Sequence, residues 1–347
     1  MEILKGTALL LLVLGLFSLF SYKAPKGMKA MAALAAAACA AFLVEAFQLY
    51  VGGDLLGISF LGEVGTAAGG MGGVAAAALV ALAVGVSPVY ALMLGVSCAG
   101  LGLLPGFIAG YLVAFLVKFI EKKVPGGLDL IVIIVLATPL VRLIAVGLKP
   151  VVDATLLNIG GIITETASSN PVIMGIILGG VITVVATAPL SSMALTAMLG
   201  LTGVPMAIGA LAVFGSSFMN YVLFDRMKFG DRKTTISVAI EPLTQAHIIS
   251  ANPIPVYVTN FIGGAAAGVV VSMSGLINNA TGTATPIAGL AVMYGFNDPL
   301  KVTIIALSCA VIGVISGFIG SLIFKNFKIK TVDQLKAMDD TDETQAA

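Results

Sequence analysis

The chain has 347 residues, of which 59% are hydrophobic and only 10% are charged, and its net charge is +1. Soluble domains carry about a quarter charged residues, so this chain has too few charges to cover a surface that faces water. A nearly neutral chain also lacks the positive field that attracts nucleic acid, and we expect no nucleic-acid partner. The composition therefore indicates a protein of the lipid bilayer.

Apolar segments that approach the ~20 residues of a bilayer crossing recur along the chain. We predict an all-α, multi-pass membrane protein with about ten transmembrane helices, re-entrant hairpins, broken helices and an internal repeat. The sequence leaves open the number of crossings between 190 and 204 and between 234 and 253. The predicted spans lie near residues 7–22, 29–50, 66–86, 89–104, 106–121, 129–147, 171–190, 204–224, 253–273 and 300–324.

Basic residues gather in four short segments next to these spans. Because basic loops stay on the cytoplasmic side of a membrane, we expect all four segments on that side. The segments contain Lys23, Lys26 and Lys29; Lys118, Lys122 and Lys123; Arg226, Lys228, Arg232 and Lys233; and Lys325, Lys328 and Lys330.

Two segments between residues 160 and 300 share one pattern: a glutamate, polar residues, Ser-x-Asn-Pro and an apolar run with Gly-Gly. The Asn-Pro pairs are Asn170–Pro171 and Asn252–Pro253. Proline at the first position of a helix lacks an N–H that would be unpaired there, and Asn can cap that start. We expect each pair to begin a helix after irregular backbone, and both starts to line one cavity for a polar solute. The polar stretch 278–285 is predicted to form a third, re-entrant element.

The ionisable residues of these segments are the main candidates for solute binding, because a charge inside a membrane is costly and indicates function. A carboxylate can accept two hydroxyls of a polyol, and imidazole can donate, accept or relay a proton. The alternative is that Glu241 and His247 belong to a solvated cytoplasmic loop. The predicted substrate-binding residues are Glu241, His247, Gln245, Asn252, Glu165, Asn170, Asn279 and Ser191.

Several polar residues have alternative interpretations. Glu165 belongs either to the same cavity or to an exposed loop, and Ser191 and Ser192 either line the cavity or cap a short helix. Glu45 and Arg142 either form a buried pair or extend to the membrane boundary, and a structural role is favoured.

The residues that metal sites and acyl-transfer sites need are scarce in this chain. Cys39, Cys98 and Cys309 are isolated in apolar runs, which predicts buried thiols without a disulfide framework. His247 is the single histidine, which disfavours a metal site and a Ser-His-Asp site. We expect neither a metal nor a cofactor.

Residues 170–203, 250–270 and 278–290 resemble the membrane IIC component of the bacterial phosphoenolpyruvate-dependent sugar phosphotransferase system. Within that family they are most similar to the IIC-like, perfringolysin-regulator-like branch of putative toxin regulators. The stretch Ile240-Glu241-Pro242 is similar to the Gly-Ile-Thr-Glu-Pro stretch of glucose-superfamily IIC proteins, which holds a sugar-binding glutamate. Ala239-Ile240 replaces Ile-Thr here.

The resemblance implies a homodimer of about ten-span protomers in the bacterial cytoplasmic membrane. Residues 1–150 would form the scaffold and dimerisation bundle, 151–325 a mobile transport domain, and 326–347 a polar cytoplasmic tail. A sugar would enter by elevator motion and be phosphorylated by separate IIB and IIA proteins, so that this chain carries no phosphorylated residue. The alternatives are a IIC-like sensor or regulator without phosphotransfer, and an ion-coupled carrier of another small metabolite.

Overall fold

The chain folds into helices joined by short turns. The structure is a computed structural model that describes residues 2–167, 170–190, 192–335 and 337, apart from the side chains of 2–5, 7, 160–167, 194 and 198. These residues contain one isolated β-bridge, between Gly203 and Asn278, and no strand. The prediction of an all-α protein is confirmed.

Residues 2–167 form three long helices, several shorter ones and three π-helical segments. The π-helical segments Cys39–Leu43 and Ala46–Leu55 continue α2, and Ile133–Ala137 joins α7 to α8. The helices are α1 (Glu2–Lys23), α2 (Gly27–Ala38), α3 (Ser59–Gly69), α4 (Gly72–Val84), α5 (Pro88–Ser97), α6 (Leu103–Lys123), α7 (Leu128–Val132) and α8 (Thr138–Ala167).

In the C-terminal half, four helices begin at a proline that follows a polar residue. A 3₁₀ turn, Pro242–Gln245, separates α12 from α13. The helices are α9 (Pro171–Thr187), α10 (Ser192–Met198), α11 (Gly203–Met227), α12 (Arg232–Ile240), α13 (Ala246–Ala251), α14 (Pro253–Ser274), α15 (Pro286–Phe296) and α16 (Pro299–Ile323). The prediction that Asn170–Pro171 and Asn252–Pro253 each begin a helix is confirmed.

Helices lie on all ten predicted spans, but not all of them are long enough to cross a bilayer alone. Among the described residues, six helices have the length and hydropathy of a membrane span, or seven if α3 and α4 are counted as one span bent by 52°. These helices support the prediction of a multi-pass membrane protein. The figure of about ten crossings stays a prediction.

The four basic segments lie at one end of the helix bundle, which we call the basic pole. The ammonium groups of Lys26 and Lys118 both donate to the carbonyl of Val84, at 2.8 and 3.2 Å. The Lys330 ammonium lies over the ring of Tyr22, 4.1 Å from its centroid. These contacts tie three of the basic segments together.

Further contacts bring the fourth basic segment to the same pole. The N–H of Val332 donates to the carbonyl of Phe229 at 2.9 Å, and Arg226 donates to the hydroxyl of Ser321 at 2.8 Å. Helix α11 then runs from this pole to Gly203, about 37 Å away at 1.5 Å per residue. Gly203 and Asn278 pair at the other end, which we call the opposite pole.

Helices α9 and α14 pack as an antiparallel pair along lines of small residues. A Cβ at Gly268 would lie 2.1 Å from the carbonyl oxygen of Gly175, and a Cβ at Gly264 would lie 2.4 Å from that of Gly179. The Thr183 hydroxyl donates to the carbonyl of Asn260 at 2.8 Å. Small residues let helix backbones approach this closely where lipid removes the hydrophobic driving force.

This antiparallel arrangement corrects one expectation from the sequence. Pro171 begins α9 at the opposite pole, where Asn170 is exposed, whereas Pro253 begins α14 at the basic pole. The two starts are therefore about 25 Å apart, the length of a 17-residue helix. The prediction that both starts line one cavity is wrong, because two paired helices that run in opposite directions present their N-termini at opposite ends.

Buried amides join α11 to α14 in the middle of the bundle. Asn220 and Asn260 exchange hydrogen bonds through their side chains, at 3.3 and 2.7 Å, and neither is exposed. Arg142, by contrast, donates to the carbonyls of Ser97 and Ala99 at the end of α5. The side chain of Glu45 lies against Gly69, so the buried Glu45–Arg142 pair does not form.

Two hydrophobic cores are present. One is built mainly from residues 30–145, and the other mainly from residues 159–335 with Leu10, Leu14 and Met28 of the first two helices. Four residues of the C-terminal half join the N-terminal core, and they mark where the two halves meet: Met193, Leu243, Ala246 and Ala288.

We expect Gly268→Ala to lower the free energy of unfolding by roughly 1–3 kcal/mol, because the added methyl group forces α9 and α14 apart. Gly147→Ala is the matched control, since a Cβ at Gly147 would meet no atom within 4 Å. The measurement is the midpoint of thermal unfolding of the purified protein in detergent. Equal midpoints for the two variants would contradict the close packing of α9 and α14.

Candidate functional site

Two hairpins enter the C-terminal half from opposite poles. The first, residues 228–252, leaves the basic pole through α12, turns at Glu241 and returns through α13. We call it the basic-pole hairpin. The second, residues 277–297, is the opposite-pole hairpin. Its two ends are joined because the side chain of Asn297 accepts from the N–H of Ile277 at 2.9 Å and donates to its carbonyl at 2.7 Å.

The tips of the two hairpins meet at a buried carboxylate. The hydroxyl of Thr285 donates to Oε2 of Glu241 at 2.5 Å, and the N–H of Leu243 donates to Oε1 at 3.4 Å. Glu241 is 3% exposed and Thr285 is 1% exposed. A carboxylate removed from water needs such donors, and the two hairpins supply one each.

Local sequence explains why the chain turns at these two residues. Asp231 caps α12 by accepting from the N–H of Thr234 at 2.8 Å, and Pro242 ends that helix and begins the 3₁₀ turn. Pro286 begins α15 directly after Thr285. The positive end of the α15 dipole therefore lies beside the Glu241 carboxylate, which favours its charged form.

The π-helical segments that continue α2 form another wall of the site. Cys39 lies near the Glu241 carboxylate, and the hydroxyl of Tyr50 lies against Gly282 and bonds to Thr281. Both residues belong to the π-helical segments of this helix, and such segments are frequent at functional sites. The site thus lies where the two cores meet, which is a common location for a ligand site.

Burial shifts the pKa values of Glu241 and His247 in opposite directions. Both residues lie outside the six candidate spans. Burial raises the pKa of Glu241 from 4.5 to about 7, although the hydrogen bonds from Thr285 and Leu243 oppose this rise. Burial lowers the pKa of His247 from 6.5 to about 4, and its Nδ1 atom is buried without a hydrogen-bond partner. Near neutral pH the Glu241 carboxyl group therefore changes protonation, and the His247 imidazole of α13 is neutral.

Of the other predicted site residues, Gln245 and Asn252 belong to the basic-pole hairpin. Gln245 is half-buried and donates to the hydroxyl of Thr244 at 3.3 Å. Asn252 does not cap α14. Its amide donates to the carbonyls of Ile248 and Lys330, both at 2.9 Å, and accepts from the N–H of Lys330 at 2.7 Å. Because both of its donors are used, Asn252 fastens the C-terminal segment in this conformation, and its contact with a solute stays a prediction.

Two further predicted residues, Asn170 and Asn279, are exposed and do not lie at the hairpin tips. Asn170 caps α9 by accepting from the N–H of Val172 at 2.9 Å, at the exposed end of that helix. Asn279 is exposed near the opposite pole. The side chain of Glu165 and the whole of Ser191 lie outside the described residues. The roles of these four residues stay predictions.

Sequence reasoning missed Thr285 and Tyr50 as residues of the candidate site and left the role of Ser192 open. Thr285 was signalled by the Thr285–Pro286 pair, which begins a helix as the two Asn-Pro pairs do. Ser192 donates to the carbonyl of Ala284 at 2.7 Å and thereby supports the tip of the opposite-pole hairpin. Tyr50 had no signal, because it ends an apolar span that also contains Phe42 and Phe47, and only the tertiary fold brings it to Gly282.

The arrangement suits a neutral, polyhydroxy ligand. An ionised carboxylate accepts hydroxyl donors, and Thr285, Gln245 and Tyr50 each donate and accept. Among the described residues, no three His, Cys, Asp or Glu side chains come together as a metal site requires. Polar groups of this kind at a junction between two cores can bind a solute and release it when the junction moves.

Comparison with known protein families identifies the chain. Residues 28–337 match the family "Phosphotransferase system, EIIC", so most of the chain is aligned. The chain belongs to this family of sugar phosphotransferase permease components, and the predicted family membership is confirmed. Searches among curated proteins and among solved structures returned no match. The perfringolysin-regulator-like branch stays a prediction.

We expect the stability difference between wild type and Glu241→Gln to depend on pH. Between pH 4.5 and 7 the unfolded chain has lost the Glu241 proton and the folded chain retains it. Folding therefore binds a proton, and the contribution of Glu241 to stability falls as the pH rises through this window, by roughly 3 kcal/mol in total. The contribution of His247 to stability rises with pH between pH 4 and 6.5, because its pKa is lower in the folded chain. His247 is present in both proteins, so its contribution cancels in the difference between them.

The measurement is the thermal unfolding midpoint of both proteins from pH 4 to 8. Glu63→Gln is the control, because Glu63 is exposed, and it should keep the wild-type profile. Thr285→Ala should raise the pKa of Glu241 further, since it removes a hydrogen bond that stabilises the charged carboxylate. The pH range over which stability falls should then extend to higher pH. Parallel profiles for wild type and Glu241→Gln would show that the carboxyl group does not titrate in this range.

Proposed function

We propose that this protein binds a sugar at the meeting point of the two hairpins and carries it across the membrane. The observation that supports this most directly is the buried hydrogen bond between Glu241 and Thr285. Glu241 would accept one or two sugar hydroxyls, and the Thr285 hydroxyl would contact the same ligand. Hydrogen bonds from hydroxyl groups to a charged acceptor are stronger than those to a neutral one, so Glu241 would supply most of the affinity.

Binding requires the hairpin tips to separate. Glu241 is enclosed, and one of its oxygens already accepts from Thr285. A sugar hydroxyl can take the place of the Thr285 hydroxyl without leaving the carboxylate unpaired, which keeps the cost of opening low. The tips come from opposite poles, so movement of either hairpin would open the site toward one side of the membrane.

In this proposal the domain division, the dimer and the partner proteins are those of the phosphotransferase-system IIC family. Residues 1–150 form a scaffold and dimerisation bundle, and residues 151–325 form a transport domain that moves against it as an elevator. The separation of the two hydrophobic cores supports this division. The proposed protein is a homodimer with about ten crossings per protomer in the bacterial cytoplasmic membrane, and separate IIB and IIA proteins phosphorylate the sugar at the basic pole.

A second candidate function is proton-coupled transport of a small polar metabolite. It is favoured by the pKa of Glu241, which lies at about 7, because a carrier can use a carboxyl group that gains and loses a proton near neutral pH. In this alternative the solute and the proton would compete for the same carboxylate.

We expect Glu241→Gln to weaken sugar binding about 10- to 100-fold, since it removes a charged acceptor from one or two hydrogen bonds. The measurement is calorimetric or thermal-shift titration of purified protein with a panel of mono- and disaccharides. Thr285→Val should weaken the same sugars by about tenfold or less, because a neutral hydroxyl is lost. Glu63→Gln should bind as wild type does, and equal affinity in all four proteins would refute the site.

Uptake into proteoliposomes separates the two candidate functions. Sugar transport that depends on IIB, IIA and a phosphoryl donor, and that persists with a protonophore, is the expected result. Uptake that a protonophore abolishes and that needs no phosphoryl donor would instead establish the proton-coupled carrier.

A further inference from the structure

A polar cavity lies at the basic pole, and neither Glu241 nor Thr285 lines it. It has a volume of about 230 Å³ and opens between the last turns of α11 and α16. Arg226 and Met227 line it from α11, Ser321 and Leu322 from α16, and Lys325 and Phe327 from the segment that follows α16. The transport mechanism proposed above uses none of these residues.

The guanidinium group of Arg226 is held in place for a ligand. Its Nε donates to the hydroxyl of Ser321 at 2.8 Å, and its Cζ lies 4.3 Å from the centroid of the Phe318 ring. The two contacts orient the plane of the group, and its terminal N–H groups have no hydrogen-bond partner within the part of the chain that the structure describes. A planar fork of donors is the arrangement that binds phosphate oxygens in pairs.

The charge around this cavity is positive. The ammonium group of Lys325 is exposed at its rim and has no ion-pair partner among the described residues. The nearest acidic side chain on α11, Asp225, is already paired with Lys228 at 3.6 Å. Among the described residues neither Arg226 nor Lys325 forms an ion pair. Two cations without an ion-pair partner favour an anionic ligand.

The apolar surroundings indicate what kind of anion fits. Leu322 and Phe327 line the cavity, and along the outer face of α16 the side chains of Ile315, Ile319 and Ile323 are about half exposed or more. This apolar face continues from the cavity toward the middle of the bilayer, where an acyl chain would lie. A cavity of about 230 Å³ also admits a headgroup but not a protein surface.

We infer that this cavity binds the phosphate of an anionic phospholipid headgroup in the leaflet at the basic pole. Basic pockets between transmembrane helices on the cytoplasmic side are known to select such headgroups. The Arg226 fork would hold two phosphate oxygens, Lys325 would neutralise the remaining charge, and the acyl chains would lie along α16. This inference is independent of the identity of the transported solute.

Occupancy of this cavity would also stabilise the basic-pole hairpin. Ile329 lines the cavity and directly precedes Lys330, whose backbone exchanges hydrogen bonds with Asn252 at the base of that hairpin. Val332 then bonds to Phe229 at the other end of the hairpin. A lipid that orders the segment after α16 would therefore raise the thermal stability of the whole C-terminal half.

The test is lipid binding to the purified full-length protein in nanodiscs or mixed micelles. The probes are phosphatidylglycerol, phosphatidylcholine and inorganic phosphate, and the readouts are native mass spectrometry and the thermal unfolding midpoint. We expect wild type to retain phosphatidylglycerol in preference to phosphatidylcholine and to be stabilised by it. The double variant Arg226→Gln/Lys325→Gln should bind phosphatidylglycerol roughly 10- to 30-fold more weakly, the loss expected for two basic groups at an anionic surface.

Two further variants keep this result interpretable. Lys325→Gln alone changes only an exposed side chain and should show a smaller loss without a folding defect. Lys122→Gln/Lys123→Gln removes the same charge from the end of α6, where both side chains are exposed, and should bind as wild type does. Equal losses in the two double variants would overturn the assignment, because only general surface charge would be acting. Stabilisation by inorganic phosphate equal to that by the lipid would also overturn it in favour of a soluble phosphate ligand.

Discussion

The hydrogen bond between Thr285 and Glu241 is the interaction on which the site depends. A carboxylate that is 3% exposed is costly unless donors surround it, and the fold supplies those donors from two hairpins that enter from opposite poles. Neither hairpin can satisfy the carboxylate fully without the other. The position of each tip is therefore linked to the charge and the hydrogen bonding of a single residue. The proposed opening of the site by a ligand requires such a link.

The rest of the C-terminal half holds the ends of those hairpins in place. Close backbone contact between α9 and α14, and the exchange of amide hydrogen bonds between Asn220 and Asn260, build a frame with few ways to rearrange. The hairpins are attached to this frame at their bases: Asn252 by the C-terminal segment and Asn297 by Ile277. In the proposed opening the few hydrogen bonds at the tips would break, and the attachments at the hairpin ends would keep the frame folded.

Part of the site was predictable because it follows from local chemistry. The cost of a charge in an apolar segment singled out Glu241, and proline after a polar residue located the starts of α9 and α14. The expected meeting of those two starts was wrong, since a repeated motif does not reveal whether the two helices run parallel or antiparallel. The partner of Glu241 proved to be Thr285, which belongs to a third helix start and is 44 residues away along the chain.

The sequence by itself indicated that the protein lies in a membrane, that it is helical, which side of the bundle is basic, and that Glu241 is a candidate binding residue. These properties depend on composition, on charge and on neighbours within a few residues, which a linear chain displays directly. The tertiary structure alone decided which elements meet: the two hairpin tips, Tyr50 against Gly282, and Arg226 held between Ser321 and Phe318. Such contacts join segments that are far apart in the chain, and they are selected by the packing of whole helices and not by any local signal.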